Sequence, residues 1–471
     1  MSLSLSSPLI ESFTLYGVNG YKDIQLYCES GAKIVSAENG SGKTTLLNAL
    51  YAVLTGNAAQ LQKINFEKLS LKLKGFSELI VSKAELSPLP EDILTVLASK
   101  ASPLFDYVED ETGLLNALTK LSLGQSDEFY DSEWFGAFYR ASPFDRDDIE
   151  SMCSEIVEGL PKSSNRIAEM ESYVNDAFGN TKILYLPTYR RIEAEMPSAF
   201  RKQVARPRRT NFPPPYSRRK GISTWAADQL IYFGLEDVES RLREISDSIK
   251  SGTFDAYTRI GGRTLEQLLA GPGPHGSFTP HIDLADLNVV LARLGKANGK
   301  VEERISELIS SGAIQNPQHD YLRSFLGQLL EVYAANKDQE QAIEAFVSII
   351  NSYWMNDFDE KKFVFDKLTI SASVVNQFTG SILPLNALSS GEKQIVSVFA
   401  RLYLSGEKQF VVLIDEPELS LSMDWQKRFL PDILSAPSCA QLIAITHSPF
   451  VFDNELDAYA GPLRIYNRKP S

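Results

Sequence analysis

Residues 37 to 45 read Ala37-Glu38-Asn39-Gly40-Ser41-Gly42-Lys43-Thr44-Thr45, a glycine-interrupted loop of the kind that holds a polyphosphate. Gly40 and Gly42 let backbone N–H groups curl round phosphate oxygens, with Asn39, Ser41 and Thr45 among the contacts; Lys43 offers its charge to the β- and γ-phosphates of ATP, and the Thr44 hydroxyl suits Mg²⁺. Ala37 stands where a strict pattern asks for glycine, but the chain is only leaving its strand there, and the glycines nearest the phosphates are present. Lys33-Ile34-Val35-Ser36 before the loop reads as a strand and Leu46-Leu47-Asn48-Ala49-Leu50-Tyr51 after it as a helix, the setting a phosphate-binding loop needs.

The other parts of such a site come late in the chain. Leu388-Ser389-Ser390-Gly391-Glu392 is a polar, glycine-containing loop ahead of a helical pattern. Phe410-Val411-Val412-Leu413-Ile414 is an apolar run with the character of a buried strand, and it ends in Asp415 and Glu416. Asp415 is placed to hold Mg²⁺ through water, and Glu416 to orient or activate the water that attacks the γ-phosphate. Leu442-Ile443-Ala444-Ile445-Thr446 reads as a further core strand, with His447 at its carboxyl end, where open α/β sheets bind ligands. A lone histidine is usually structural; at that edge, 31 residues after Glu416, a γ-phosphate contact is the favoured reading.

In order and wording these motifs resemble the ABC-type ATPases of the Rad50, RecF and OLD group. The resemblance is strong over 13–52 and 385–452 and weak between. It implies an α/β fold, a two-lobed ABC-type P-loop nucleotide-binding domain interrupted by a largely helical insertion with a short coiled-coil-like arm. It also implies a head-to-tail pair of chains in which Ser389, Ser390, Gly391 and Glu392 of one copy cap the ATP on the P-loop of the other. The stretch Glu416-Pro417-Glu418-Leu419-Ser420-Leu421-Ser422 is similar to the OLD-like subgroup, except that Ser422 stands where a histidine is common. The chain after His447 is too short for the nuclease domain of OLD-type proteins. That pattern resembles the stand-alone ATPase subunits of two-gene antiphage systems, AriA of PARIS and PtuA of Septu, and implies a sensor or scaffold ATPase controlling a separate nuclease effector. A RecF- or Rad50-like repair ATPase is the first alternative. A transporter subunit is the second, disfavoured by the length of the insertion.

With 471 residues, 43% of them hydrophobic, the chain is long enough for two or three substructures. No apolar run approaches the roughly 18 residues that suggest a membrane span. The start of the chain lacks the basic and apolar stretches of a secretion leader, and Cys28, Cys153 and Cys439 are scattered, so a cytoplasmic protein without a disulfide framework is expected.

The motifs divide the chain into a first ATPase lobe over 1–85 and a second over 360–471. Between them, 86–180 is acidic and reads as a helical insertion, 181–200 opens with an apolar strand that rejoins the ATPase sheet and runs into Arg190 and Arg191, and 225–359 has the spacing of a helical arm or bundle. Either arginine is placed to reach a phosphate or, equally, to pair with Glu193 or Glu195. In a chain of net charge −13, residues 201–224 form a basic, proline-rich loop, with eight basic and no acidic residues over 201–220. Such a loop suits DNA phosphates or an acidic phage protein, or is a solvated loop balancing the acidic insertion. His275 and His281 lie in a glycine- and proline-rich stretch better read as loop than as metal site.

Overall fold

The computed structural model describes residues 7–37, 40–86, 104, 107–108, 110–122, 129–159, 165–187, 235–270, 283–294, 299–355, 360–406 and 408–468. Glu38, Asn39, Arg190, Arg191, the basic loop, His275 and His281 lie outside them. The chain separates into two compact units, one of residues 1–231, 408–435 and 439–471, the other of 232–407 and 436–438. The second lobe read over 360–471 is thereby divided: 360–407 goes with the helical unit and nearly all of the remainder with the P-loop.

The strands in chain order are β1 (Ile10–Val18), β2 (Lys22–Tyr27), β3 (Ala32–Ser36), β4 (Lys68–Leu73), β5 (Leu79–Ser82), β6 (Lys182–Leu186), β7 (Lys361–Asp366), β8 (Ser371–Asn376), β9 (Ile382–Leu383), β10 (Phe410–Asp415), β11 (Cys439–Thr446), β12 (Ala460–Pro462) and β13 (Arg464–Asn467). The helices are α1 (Lys43–Leu54), α2 (Ala58–Lys63), α3 (Glu111–Ser122), α4 (Glu133–Ala141), α5 (Arg146–Gly159), α6 (Asn165–Phe178), α7 (Leu235–Ala270), α8 (Leu284–Leu294), α9 (Gly299–Ser310), α10 (Asp320–Tyr353), α11 (Ser390–Leu404) and α12 (Met423–Leu434).

The first unit holds two sheets. One is antiparallel, in the order β13-β2-β1-β4-β5; the other is parallel, in the order β12-β3-β11-β10-β6. All six residues of β10 are buried, as a central parallel strand covered on both faces must be. Helix α1 buries Leu46, Leu47 and Leu50 in a core that also takes Phe13 and Leu15 of β1, Val174 and Phe178 of α6, and Val411, Leu413, Ile443 and Ile445 of the parallel sheet. Gln441 ties the two sheets together: its side-chain oxygen accepts from the N–H groups of Leu9 and Ile10 at 3.0 and 2.8 Å, and its amide donates to the Ile10 carbonyl at 3.0 Å. The acidic insertion has its own core, in which Trp134, Phe135 and Phe138 of α4 meet Leu114 and Leu118 of α3 and Ile149 and Cys153 of α5.

The second unit combines the long helices α7 and α10, of 36 and 34 residues, with α8, α9, α11 and the antiparallel sheet β7-β8-β9. The spacing Val238, Leu242, Ile245, Ile249 is the buried stripe of α7. Inside this unit Arg293 of α8 grips Glu340 of α10 with two hydrogen bonds of 2.8 Å, the side chains being only 7% and 2% exposed, and its Nε donates to the Lys367 carbonyl at 2.9 Å. Removing one partner strands a buried charge, so Glu340→Ala should cost about 3–5 kcal/mol of stability in urea denaturation, whereas the apolar pair Arg293→Met with Glu340→Leu should recover most of it. Equal midpoints for Glu340→Ala and the parent chain would show that the pair contributes nothing.

Candidate nucleotide site

All five strands of this sheet run in one direction, so the segments that follow β3, β11 and β10 leave from the same edge. Ser36 pairs with Thr446 and Asp415 with Ile445, which brings the P-loop, Glu416 and His447 to one place. Gly40 (φ 78°) and Gly42 (φ 100°) have left-handed backbones, and a Cβ on Gly42 would come within 2.5 Å of Ile24 Cδ1. Both conformations favour glycine, and at Gly42 the close approach of Ile24 of β2 leaves no room for a side chain. Helix α1 starts directly at Lys43, so its first-turn N–H groups face the loop.

Lys43 is 5% exposed; its ammonium donates to the Ala37 carbonyl at 2.9 Å and contacts the His447 ring, 3.1 Å from Nδ1 and also against Nε2. Burial pushes the Lys43 pKa below its usual value, and the carboxylates of Glu416, Asp415 and Glu418 oppose that shift. Thr44 Oγ1 donates to Asp415 Oδ2 at 2.9 Å across 371 residues of sequence. Thr45 is the third residue of α1. Glu416, at φ 54°, turns the chain out of β10 while its N–H donates to the Ile445 carbonyl at 2.9 Å, and its Oε1 lies 4.0 Å from His447 Nε2. Ser41 Oγ is buried and has no hydrogen-bond partner among the described residues. Lys22 Nζ sits 3.5 Å from the Gly40 and Ser41 carbonyls and adds a second positive charge behind the loop.

These residues fit a Mg²⁺–nucleoside triphosphate. A left-handed glycine loop, a buried serine hydroxyl lacking a partner and a buried ammonium make an anion cradle, and the Thr44–Asp415 pair presents hard oxygen donors at its rim. Among the described residues no group of three His, Cys, Asp or Glu side chains makes a metal site without help. Phosphate oxygens and water would have to complete the coordination, as is usual for Mg²⁺.

The residues Ser389, Ser390, Gly391 and Glu392 belong to the second unit. Ser389 caps α11 in a reciprocal box: its hydroxyl accepts from the Glu392 N–H at 3.4 Å, and the Glu392 carboxylate accepts from the Ser389 N–H at 2.6 Å. Lys361 Nζ of β7 grips both Glu392 oxygens at 3.0 and 2.8 Å. Burial alone would raise the Glu392 pKa; the hydrogen bonds from Lys361 and Ser389 outweigh it and hold the carboxyl below its usual range. The Glu392 carboxylate is thus occupied inside its own unit, and what α11 offers a ligand is its first-turn N–H groups and the Ser389 hydroxyl. Ser422 caps α12, accepting from the Trp425 N–H at 3.4 Å.

Sequence patterning missed Glu418, Gln441, Lys361 and Lys22. Only Glu418 left a trace, as a third carboxylate two residues beyond Glu416.

Residues 304–453 match a domain model described as AAA domain, putative AbiEii toxin, Type IV TA system, and residues 12–84 match a second model described as AAA domain. The P-loop and the residues 389–392, 415, 416 and 447 therefore all lie in stretches that match AAA domain models. No curated protein matches the chain. Among solved structures, the chain is similar to an Smc head domain with an extended coiled coil bound to the C-terminal domain of ScpA, derived from Pyrococcus furiosus, at 12% identity over 97% of this chain and 96% of that one, with a TM-score of 0.37. It is similar also to an SmcHead bound to the C-winged helix domain of ScpA, at 10% identity over 98% and 97%, with a TM-score of 0.36. The α/β class with a largely helical insertion is the one expected from sequence, and among the described residues no helix is long and apolar enough to cross a membrane.

Proposed function

We propose that the chain is an ATPase that binds ATP with Mg²⁺ on the P-loop and hydrolyses it. The observation that carries this reading is the 2.9 Å contact of Thr44 with Asp415 beside the buried ammonium of Lys43, with Glu416 and His447 at the same sheet edge. Thr44 and Asp415 are the residues that would hold Mg²⁺, which would supply charge neutralisation to the phosphates. Lys43 neutralises phosphate charge, Glu416 orients the attacking water, and His447 meets the γ-phosphate. Ser389 and the N–H groups at the start of α11 close the site of a second copy in a head-to-tail pair, because an oriented helix N-terminus favours an anion. Nucleotide binding and phosphate release by the purified chain test the reading; a chain that binds no ATP in the presence of Mg²⁺ refutes it.

At the level of biological role, the reading is a sensor or scaffold of an antiphage defence system controlling a separate nuclease. What supports it is the description of the domain model matched over 304–453 as AAA domain, putative AbiEii toxin, Type IV TA system; the helical insertion counts only against a transporter subunit. A nuclease that copurifies with the chain would support it; salt-dependent DNA binding without such a partner would support the repair alternative.

The basic loop separates these readings further. Changing Arg206, Arg208, Arg209, Arg218 and Arg219 to Glu should leave nucleotide binding intact and weaken capture of DNA or of an acidic partner, the lost part being the salt-sensitive one. If the ligand is DNA, the log–log salt slope falls by about 0.9 for each phosphate contact removed. Unchanged binding across a salt series leaves the loop as a solvated segment.

A further inference from the structure

None of the steps above uses the Glu418 carboxylate, yet it is bound on three sides to the segment that carries His447. Oε2 accepts from Thr446 Oγ1 at 2.7 Å, and Oε1 accepts from the backbone N–H groups of His447 and Ser448 at 2.8 and 3.1 Å. The Ser448 N–H also reaches Thr446 Oγ1 at 3.0 Å, which closes the turn on itself. Behind this, Gln426 of α12 donates to the Leu421 carbonyl at 3.0 Å and to that of Glu418 at 3.4 Å, and accepts from Ser448 Oγ at 2.8 Å. The loop after β10 and the turn after β11 are therefore one hydrogen-bonded body, and it carries the His447 imidazole, which meets Lys43 and lies 4.0 Å from Glu416.

We propose that Glu418 is a positioning residue of the nucleotide site, one that fixes the backbone of the His447 turn and so sets the direction from which the imidazole meets the γ-phosphate. A direct role on Mg²⁺ or on water is the poorer account, because both carboxylate oxygens already accept hydrogen bonds and the group faces the turn. Charge-assisted bonds from two N–H groups and a hydroxyl hold the turn more tightly than neutral acceptors would. A displacement of about 1 Å at a catalytic group is enough to cost on the order of 10²-fold in rate. The inference rests on the ATPase reading.

The test compares Glu418→Ala, Glu418→Gln, His447→Ala and the double variant Glu418→Ala/His447→Ala by ATP affinity, by kcat and by the His447 ring resonances. With four histidines in the chain, His447→Ala assigns those resonances. Glu418→Ala should lower kcat about 10- to 100-fold with little change in ATP affinity, and should shift the His447 resonances. Glu418→Gln, whose amide oxygen still accepts from the two N–H groups, should stay within about 3-fold of the parent. Because Glu418 acts through His447, the double variant should be no slower than His447→Ala alone. Parent-like kcat and resonances in a folded Glu418→Ala chain, or a double variant whose loss is the product of the two single losses, would overturn the proposal. A parent chain that neither binds nor hydrolyses ATP, while its His447 resonances still respond to Glu418→Ala, would refute the ATPase reading and leave the positioning contact standing.

Discussion

Glu416→Gln is expected to retain bound ATP while hydrolysing it about 10²- to 10⁴-fold more slowly, the range seen when a positioned general base is lost. The substitution keeps the shape of the side chain and the left-handed backbone at φ 54°, so β10 and its pairing with β11 are undisturbed. What it removes is the carboxylate that accepts a proton or a hydrogen bond from water. Lys43→Ala acts at an earlier step. It takes away a buried ammonium that would neutralise phosphate charge, and it leaves the negative charges of Asp415, Glu416 and Glu418 near the loop without their counter-charge. ATP affinity should fall by about 10²-fold or more. Equilibrium binding of a fluorescent ATP analogue beside a phosphate-release assay separates the two outcomes. Parent-like turnover in Glu416→Gln would remove Glu416 from its assigned role.

Mixing Lys43→Ala chains with Ser389→Arg chains should restore activity that neither has alone. Ser389→Arg keeps the P-loop intact but forfeits the cap of α11, at a cost of about 1 kcal/mol, and fills the space in front of its N–H groups with a cation. In a head-to-tail pair built from one chain of each kind, one site combines an intact P-loop with an intact Ser389, and the other has neither. Random exchange of equal amounts gives mixed pairs half the time, each with one working site of two, so recovery should approach about a quarter of the parent rate. No recovery under conditions where labelled subunits demonstrably exchange would argue that α11 does not complete the site of a second copy.

The fold class and the segments around the site were legible because their patterns are strong. A continuous apolar run closing on Asp415 permits little except a central parallel strand, and a glycine loop between a strand and a helix has one common outcome. The spacing Val238, Leu242, Ile245, Ile249 likewise shows as one face of a helix. What stayed hidden is held by single polar contacts between distant residues. Glu418 meets its partners 28 to 30 positions downstream, with no periodicity to announce the pairing. Gln441, fully buried, reads as a polar interruption of an apolar strand until the N–H groups of Leu9 and Ile10 are seen to need an acceptor there. Lys361 pairs with Glu392 across two elements whose adjacency no local pattern reports. Short strands such as β9, two residues long, and β12, three residues long, are too brief for an alternation to register.

The parallel sheet is assembled from pieces of chain made at very different times. Strand β3 leaves the ribosome early, but its neighbour β11 follows about 400 residues later, which at roughly 5–20 residues per second is a wait of about 20 to 80 seconds. The antiparallel sheet is different: four of its five strands, β1, β2, β4 and β5, are complete by Ser82 and can pair at once, while its edge strand β13 follows only at Arg464–Asn467. During synthesis, then, the P-loop hangs from a strand with both edges open, since β11 and β12 both come late, beside four early strands whose side chains share a core with α1. The candidate nucleotide site is among the last things to exist, since Asp415 and His447 arrive together at the end of that wait. Nascent chains arrested before β10 should bind no ATP, expose an open strand edge, and depend on chaperones far more than the finished protein does.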